Sequence, residues 1–316
     1  MNRPRILVTG AAGQLGTELS QALAERHGAA NVVTSDVAAR APVDGAVHEV
    51  LDVTDAGALA QVASRHCVTQ VYHLAAVLSA SGEREPARAW NVNMTGLLNV
   101  LELARTLRLE RVFWPSSIAA FGPGTPRQEA PQAAIMDPAT VYGITKLAGE
   151  RWCAWYHAHH GVDVRSLRYP GLVGWKSPPG GGTTDYAVEI FHAALREGRY
   201  TCFLEAGQRL PMMYMPDALR ATLELMEAPA ARIGVRDSYN VAGVSFSPQE
   251  IGAAIARRLP GFTLQCRPDF RQQIAAGWPQ SIDDAAARRD WRWQPRFGLQ
   301  EMVDDMLASL RAALAG

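Results

Sequence analysis

Tyr142 and Lys146 lie four residues apart in TVYGITKLAGERW, so on a helix both side chains fall on one face and can meet at a single reacting atom. A phenol beside an ammonium is a base suited to removing a hydroxyl proton. The ordinary phenol pKa of about 10 must fall by roughly 2–3 units, about 3–4 kcal/mol, to serve near neutral pH. One cation at about 5 Å in an effective dielectric of about 20 supplies roughly 3 kcal/mol. Taken alone, YxxxK fits a packed tyrosine beside a solvated lysine equally well. Ser116 and Ser117 close the run RVFWPSS, where a hydroxyl can orient a substrate alcohol toward that phenol. In isolation they also read as residues capping a strand end.

A second group of residues suits a cofactor. Gly10, Gly13 and Gly16 follow the apolar run RILV as GxxGxxG and open an amphipathic stretch from Gln14 to Arg26. Side chains at Gly10 or Gly13 would block approach of a pyrophosphate, and Gly16 lets helix and sheet pack closely. The free N–H groups of a helix beginning at Gln14 and Leu15 suit phosphate oxygens. Asp36 stands 20 residues after Gly16 at the end of the second apolar run, where an acid accepts hydrogen bonds from ribose hydroxyls. Its charge would repel a 2′-phosphate, and no arginine follows until Arg40, so NAD is expected rather than NADP.

The elements needed to position these residues alternate. Short apolar runs at Asn31–Ser35, Ala46–Leu51, Gln70–Ala75, Arg111–Ser116 and Val162–Tyr169 predict strands, and Asp55–Arg65 and a long Glu85–Leu107 predict helices. Strands apolar on both faces and alternating with helices mean a parallel sheet covered on both sides, an α/β, Rossmann-type doubly wound fold. Asp137 and Pro138 are expected at the N-cap and first position of a helix reaching about His159. After Tyr169 a Pro/Gly-rich loop, GLVGWKSPPGGGTT, suggests a domain boundary. Residues 1–170 are expected to bind NAD, with about 210–243 returning to that domain, and 171–316 to form mainly a smaller, mostly helical substrate domain. Helices are expected at Asp185–Arg196, Pro216–Ala228, Gln249–Leu259 and Leu299–Leu314, and a strand at Asp237–Val241.

Composition narrows the function. The 316 residues carry 31 basic and 31 acidic side chains, so no positive excess supports nucleic-acid or acidic-membrane binding. No run of about 18 apolar residues offers a membrane span, and the start MNRPRILVTG lacks a signal-peptide core. A cytoplasmic setting is expected. Cys67, Cys153, Cys202 and Cys266 are widely separated and form no metal-ligand pattern, so no metal is expected. They read as reduced thiols, mostly buried. His73 lies within an apolar strand and reads as structural.

Taken together, the GxxGxxG loop, Asp36, the serine pair and Tyr142/Lys146 in this order resemble the extended short-chain dehydrogenase/reductase family, which joins such a fold to a Ser/Thr, Tyr, Lys triad. The resemblance implies Ser117 as the triad serine, counted back from Phe121-Gly122, with Ser116 second. It further implies that Leu74, Ala75 and Ala76 line the nicotinamide ribose, that Leu51, Asp52 and Val53 lie near adenine, and that Asn93 and Tyr169 belong to the cofactor site. PSSIAAFGP, RSLRYPGLVGWKSPPGGGTTDYAVEIF, YTCFLEAGQRLPMMYMPDALRAT and PQSIDDAAARRDWRW extend the similarity over essentially the whole chain. They look like the short-chain L-threonine 3-dehydrogenase branch, a relative of the UDP-sugar epimerases. Epimerases usually carry an asparagine three residues after the arginine of VRSLRYP, and here that position is Gly171.

The resemblance thus implies NAD-dependent oxidation of the C3 hydroxyl of L-threonine, with Tyr142 as base, Lys146 lowering its pKa and holding the nicotinamide ribose, and Ser117 binding the reacting oxygen. Free N–H groups in Gly180–Thr184, with the hydroxyls of Thr183 and Thr184, would hold the amino-acid carboxylate near Gly182; equally, Thr184 or Asp185 simply caps the next helix. Ser79 and Ser81 are expected to line the same cleft, and Trp278 either closes over the substrate or belongs to the core. A homodimer through the two long helices is expected. An epimerase that retains its NAD, a dehydrogenase of another small hydroxy acid and a non-catalytic NAD-sensing protein remain alternatives.

Overall fold

In the computed structural model, which describes residues 3–177, 180 and 182–315, the first apolar run forms β1 (Ile6–Thr9), buried at every position. The alternation continues through α1 (Gln14–His27), β2 (Val32–Asp36), β3 (Val47–Val50), α2 (Ala56–Arg65) and β4 (Gln70–His73). Asp55 caps α2 by accepting the Ala58 N–H, at 2.9 Å. An unexpected short helix α3 (Ser79–Arg84) follows, and the Glu85–Leu107 stretch expected as one long helix is α4 (Pro86–Trp90) and α5 (Gly96–Leu107) joined by a π-turn over Asn91–Thr95. β5 (Arg111–Ser117), α6 (Val141–His160) and β6 (Val164–Tyr169) complete the expected series.

Helix α6 starts later than Asp137-Pro138 suggests. Thr140 is its N-cap, accepting the Gly143 N–H at 3.0 Å, while the Asp137 carboxylate takes the Gly124 N–H with both oxygens, each at 3.0 Å. Asp137 therefore ties two loops together, and a β-branched hydroxyl one turn nearer Tyr142 does the capping.

Beyond Tyr169 lie β7 (Gly171–Val173), α7 (Tyr186–Glu197), β8 (Arg199–Cys202), β9 (Leu210–Tyr214), α8 (Met215–Glu227), β10 (Tyr239–Asn240), β11 (Val244–Phe246), α9 (Pro248–Ala256), β12 (Thr263–Cys266), α10 (Arg271–Ala276), α11 (Ala285–Trp291) and α12 (Leu299–Ala315). Part of the expected Pro/Gly-rich loop is thus a strand. A seven-stranded, wholly parallel sheet runs β10-β6-β5-β4-β1-β2-β3, with its reversal of direction between β1 and β4. This is the doubly wound α/β architecture that the alternation predicts. One face packs under α1 and α8, around Leu19, Leu23 and Leu225; the other under α2, α5 and α6, around Leu59, Leu101 and Cys153. β7, β9 and β11 form one small sheet, β8 and β12 another, and with α7, α9 and α12 they enclose a third core around Phe191, Phe246 and Met306. None of these five strands is among those expected from the sequence.

Candidate active site

The carboxyl ends of β1, β4, β5 and β6 converge on one cleft with about 1100 Å³ of empty space, closed by the segment leading into α7 and the loop after α10. Open parallel sheets bind ligands at this edge, where the strand order reverses.

Its floor is the glycine loop. Gly10 has φ +69°, and a Cβ there would stand 2.5 Å from the Ala75 nitrogen, so Leu74–Ala76 lies across the loop only because the residue is glycine. At Gly16 a Cβ would come within 2.2 Å of the Gly10 carbonyl oxygen. At Gly13 a Cβ would meet nothing closer than that same oxygen at 3.4 Å and would fill the space over the end of α1. No side chain caps α1, no acidic residue stands in its first turn, and Gln14 and Leu15 line the cleft. The Gln14 Nε2 is buried without a hydrogen-bond partner among the described residues. An uncapped, electropositive helix end over open space fits a pyrophosphate. Asp36 ends β2 beside it, accepting the Ala12 N–H at 3.0 Å and the Ala38 N–H at 3.1 Å.

Other expected cofactor residues stand one layer away. Leu51 and Val53 are buried in the core, so that segment offers an adenine only backbone and the exposed Asp52, whose Oδ1 already accepts from Thr54. Asn93 does not line the cleft. Its amide accepts the Val77 N–H at 2.7 Å and donates to the Val77 carbonyl and the Thr145 hydroxyl, both at 3.1 Å. It clamps the segment after β4 onto α6 from within the π-turn. Tyr169 lines the cleft with its ring edge, but its hydroxyl is bonded to Thr222 away from it. His73 is fully buried, bonds Thr9 Oγ1 through Nδ1 at 2.7 Å and is pushed down to about 3 by burial, so it stays neutral.

Tyr142, in the first turn of α6, and Ser117, the last residue of β5, both line the cleft, near enough for the Ser117 hydroxyl to act on the phenol, and Ser117 Oγ accepts the Ala119 N–H at 3.1 Å. Ser116 faces the other way, donating to Glu150 Oε1 at 2.6 Å. Lys146 is 3% exposed; its Nζ lies 5.3 Å from the centre of the Tyr142 ring and donates to the Pro115 carbonyl oxygen at 2.6 Å. The electrostatics differ from the sequence estimate. Burial pushes the Tyr142 phenol up to about 12, against a smaller lowering by the Ser117 hydroxyl, and the same burial pushes Lys146 down to about 7. In the protein alone, desolvation outweighs the single cation, because removing the phenolate from water costs more than a half-charged neighbour returns.

The opposite wall carries Gly182, Thr183 and Thr184, all lining the cleft, with Thr183 buried. Asp185 is the N-cap of α7, and its carboxylate accepts the Gly182 N–H at 2.7 Å, so one amide expected for an anion is occupied. Gly181 lies outside the described residues. Ser79 is buried and lines the cleft, whereas Ser81 is exposed and does not, because α3 turns it outward two residues on. Trp278 belongs both to the third core and to the cleft wall. Leu78, Pro115, Pro170, Leu172 and Asp185 also line the cleft and were not singled out by sequence, although Pro170 and Leu172 follow a strand end that the same edge rule covers. At Gly171 a Cβ would stand 2.6 Å from Met212 Sδ and 2.7 Å from Thr184 Cβ, so Thr184 fills the place of a larger side chain.

Among the described residues no cluster of His, Cys, Asp or Glu is placed to hold a metal, and no helix is long and apolar enough to cross a membrane. All four cysteines are free; Cys153 and Cys202 are buried, Cys266 is partly so and Cys67 is exposed.

A model of the NAD dependent epimerase/dehydratase family matches residues 6–242. A GalE-like L-threonine dehydrogenase from Cupriavidus necator, in its holo form, is 63% identical, with a TM-score of 0.96 over 97% of this chain and 100% of that one. L-threonine dehydrogenase from Clostridium difficile is 42% identical, with a TM-score of 0.97 over 100% of both chains. An uncharacterized epimerase/dehydratase of Staphylococcus aureus is 44% identical over 97% of this chain and 96% of its own length.

Proposed function

The chain belongs to the NAD dependent epimerase/dehydratase family, and within it we propose an NAD-dependent dehydrogenase that oxidises the C3 hydroxyl of L-threonine to 2-amino-3-oxobutyrate. The observation that carries this is identity of 63% to a threonine dehydrogenase over 97% of the chain, together with a cleft whose wall includes Ser117, Tyr142 and Lys146. Bound NAD supplies the hydride acceptor. Tyr142, as phenolate, removes the hydroxyl proton; Ser117 hydrogen-bonds the reacting oxygen; Lys146, as ammonium, favours the phenolate and would hold the ribose of the bound cofactor. The raised phenol pKa means that the base is made by the loaded site rather than held ready in the empty protein. Thr183, Thr184 and Ser79 are assigned to the carboxylate and ammonium of the amino acid, and Trp278 covers it.

The epimerase alternative is disfavoured at Gly171. A nucleotide sugar would lose the asparagine its enzymes usually offer there, and Thr184 occupies the volume. NADH formation with L-threonine, D-threonine, L-allo-threonine, L-serine and UDP-glucose tests the assignment: turnover largely confined to L-threonine supports it, and silence with every amino acid discards it. We also assign a homodimer through α4 and α6, where Trp90, Ile144, Trp152 and Trp155 are exposed on neighbouring helices, more apolar surface than a monomer usually leaves in one place. Unpaired thiols suit a reducing compartment, the cytoplasm.

A further inference from the structure

We propose that Glu150 is a positioning residue for the reaction, keeping Lys146 in its ammonium form by presenting a fixed, buried carboxylate one helical turn away. The inference rests on the catalytic assignment of Tyr142, Lys146 and Ser117 above. Tyr142, Lys146 and Glu150 recur every four residues and form one stripe of α6. Glu150 is completely buried, where a carboxylate needs partners to replace water. Arg168 of β6 provides them with a two-pronged bond, Nε to Oε1 at 2.9 Å and Nη2 to Oε2 at 2.8 Å, and Ser116 adds a third donor at 2.6 Å. The remaining Arg168 nitrogen donates to the Gln132 carbonyl and Asn240 Oδ1, at 2.9 and 3.0 Å. An apolar pair would hold these elements together as well as a buried ion pair does, so the charge itself calls for a use.

The surroundings of Lys146 supply that use. On its own helix it faces Tyr142, the Cys153 thiol, which burial keeps protonated, and Glu150. From β4 it meets His73, held neutral, and from β5 the Trp114 ring at 4.6 Å and the Pro115 carbonyl. Arg168 is paired with Glu150, with Asp237 3.8 Å from it, and Arg151 lies 4.0 Å from Glu150. Among the described residues Glu150 is the one carboxylate acting on Lys146. Burial leaves Lys146 near half-protonation at neutral pH, so a modest field decides its charge.

The chain contains only two lysines, Lys146 and Lys176, so protein grown on lysine isotope-labelled at Cε shows two side-chain signals, assigned by Lys176→Arg. Glu150→Gln alone strands the Arg168 charge; Glu150→Gln/Arg168→Gln removes both charges and keeps hydrogen-bonding amides. In the double variant, checked for fold by circular dichroism, the Lys146 titration midpoint should fall by about one unit, a tenfold change in protonation. NADH formation from L-threonine should fall about twofold at pH 6, about fivefold near pH 7 and about tenfold by pH 8, with KM for threonine unchanged. An unmoved midpoint, or a loss equal at every pH, overturns the proposal. If wild-type protein makes no NADH from threonine while the midpoint still falls, the substrate assignment fails and the role of Glu150 stands; threonine oxidation with an unmoved midpoint means the reverse.

Discussion

Lys146 is bonded to the Pro115 carbonyl oxygen, which fastens α6 to the residues just before Ser116 and Ser117. A backbone acceptor is a permanent partner for one of three ammonium donors. The other two remain for the site, and the helix carrying Tyr142 is held at a set height against the strand carrying Ser117.

Tyr142→Phe removes the hydroxyl assigned as the base and leaves a ring of the same shape. NADH formation from L-threonine should drop at least about 1,000-fold while NAD binding and melting temperature stay near wild type, as judged by cofactor titration and thermal unfolding. Turnover within about tenfold of wild type would remove Tyr142 from the mechanism.

The pH dependence follows from the phenol lying high, at about 12. The reactive form is the deprotonated phenol beside a protonated Lys146, which lies near 7, so kcat/KM for L-threonine should climb up to about pH 7 and level off above it, where loss of the ammonium offsets the gain of phenolate. An optimum on the acid side of neutrality contradicts the assigned base.

His73 makes stability depend on acid. Its folded pKa of about 3 is depressed below the unfolded value of 6.5, so its contribution is complete above about pH 6.5 and is lost as pH falls toward the folded value. The loss by pH 4 amounts to about 3 kcal/mol. His73→Gln should show a shallower fall in melting temperature between pH 6.5 and pH 4; an equal fall in both proteins would mean that other groups carry the acid sensitivity.

Asp36→Ala should raise KM for NAD about tenfold and improve the ratio of NADP to NAD use. Steady-state kinetics with both cofactors checks this, and an unchanged ratio would place ribose selection elsewhere.

Trp152→Glu with Trp155→Glu should convert a dimer to a monomer in sedimentation experiments, with the fold kept. If the wild-type chain already sediments as a monomer, the α4–α6 face has another purpose.

Much of the sheet and of the reacting group was legible because both obey short periods. The alternation of apolar runs with helices locates every strand of the large sheet within two or three residues, and the four-residue spacing of Tyr142 and Lys146 survives folding. What local pattern cannot carry is the environment. The same spacing suggests a lowered phenol, but Tyr142 packs against the third core, whose residues are distant in sequence, and burial there raises it. Ser81 reads like Ser79 until α3 rotates the two apart. Asp137-Pro138 has every mark of a helix start, and loses to Thr140 because its carboxylate finds a tertiary partner at Gly124.

The order β3-β2-β1 on one side and β4-β5-β6 on the other separates two kinds of selectivity. Asp36, proposed to select the nucleotide, ends β2, and neither β2 nor β3 contributes to the wall holding Ser117, Tyr142 and Thr184. Descendants of such a chain can therefore exchange one nucleotide for another, or one substrate for another, by mutations that do not interfere, and an ancestral scaffold could diversify along either axis while keeping what it had on the other.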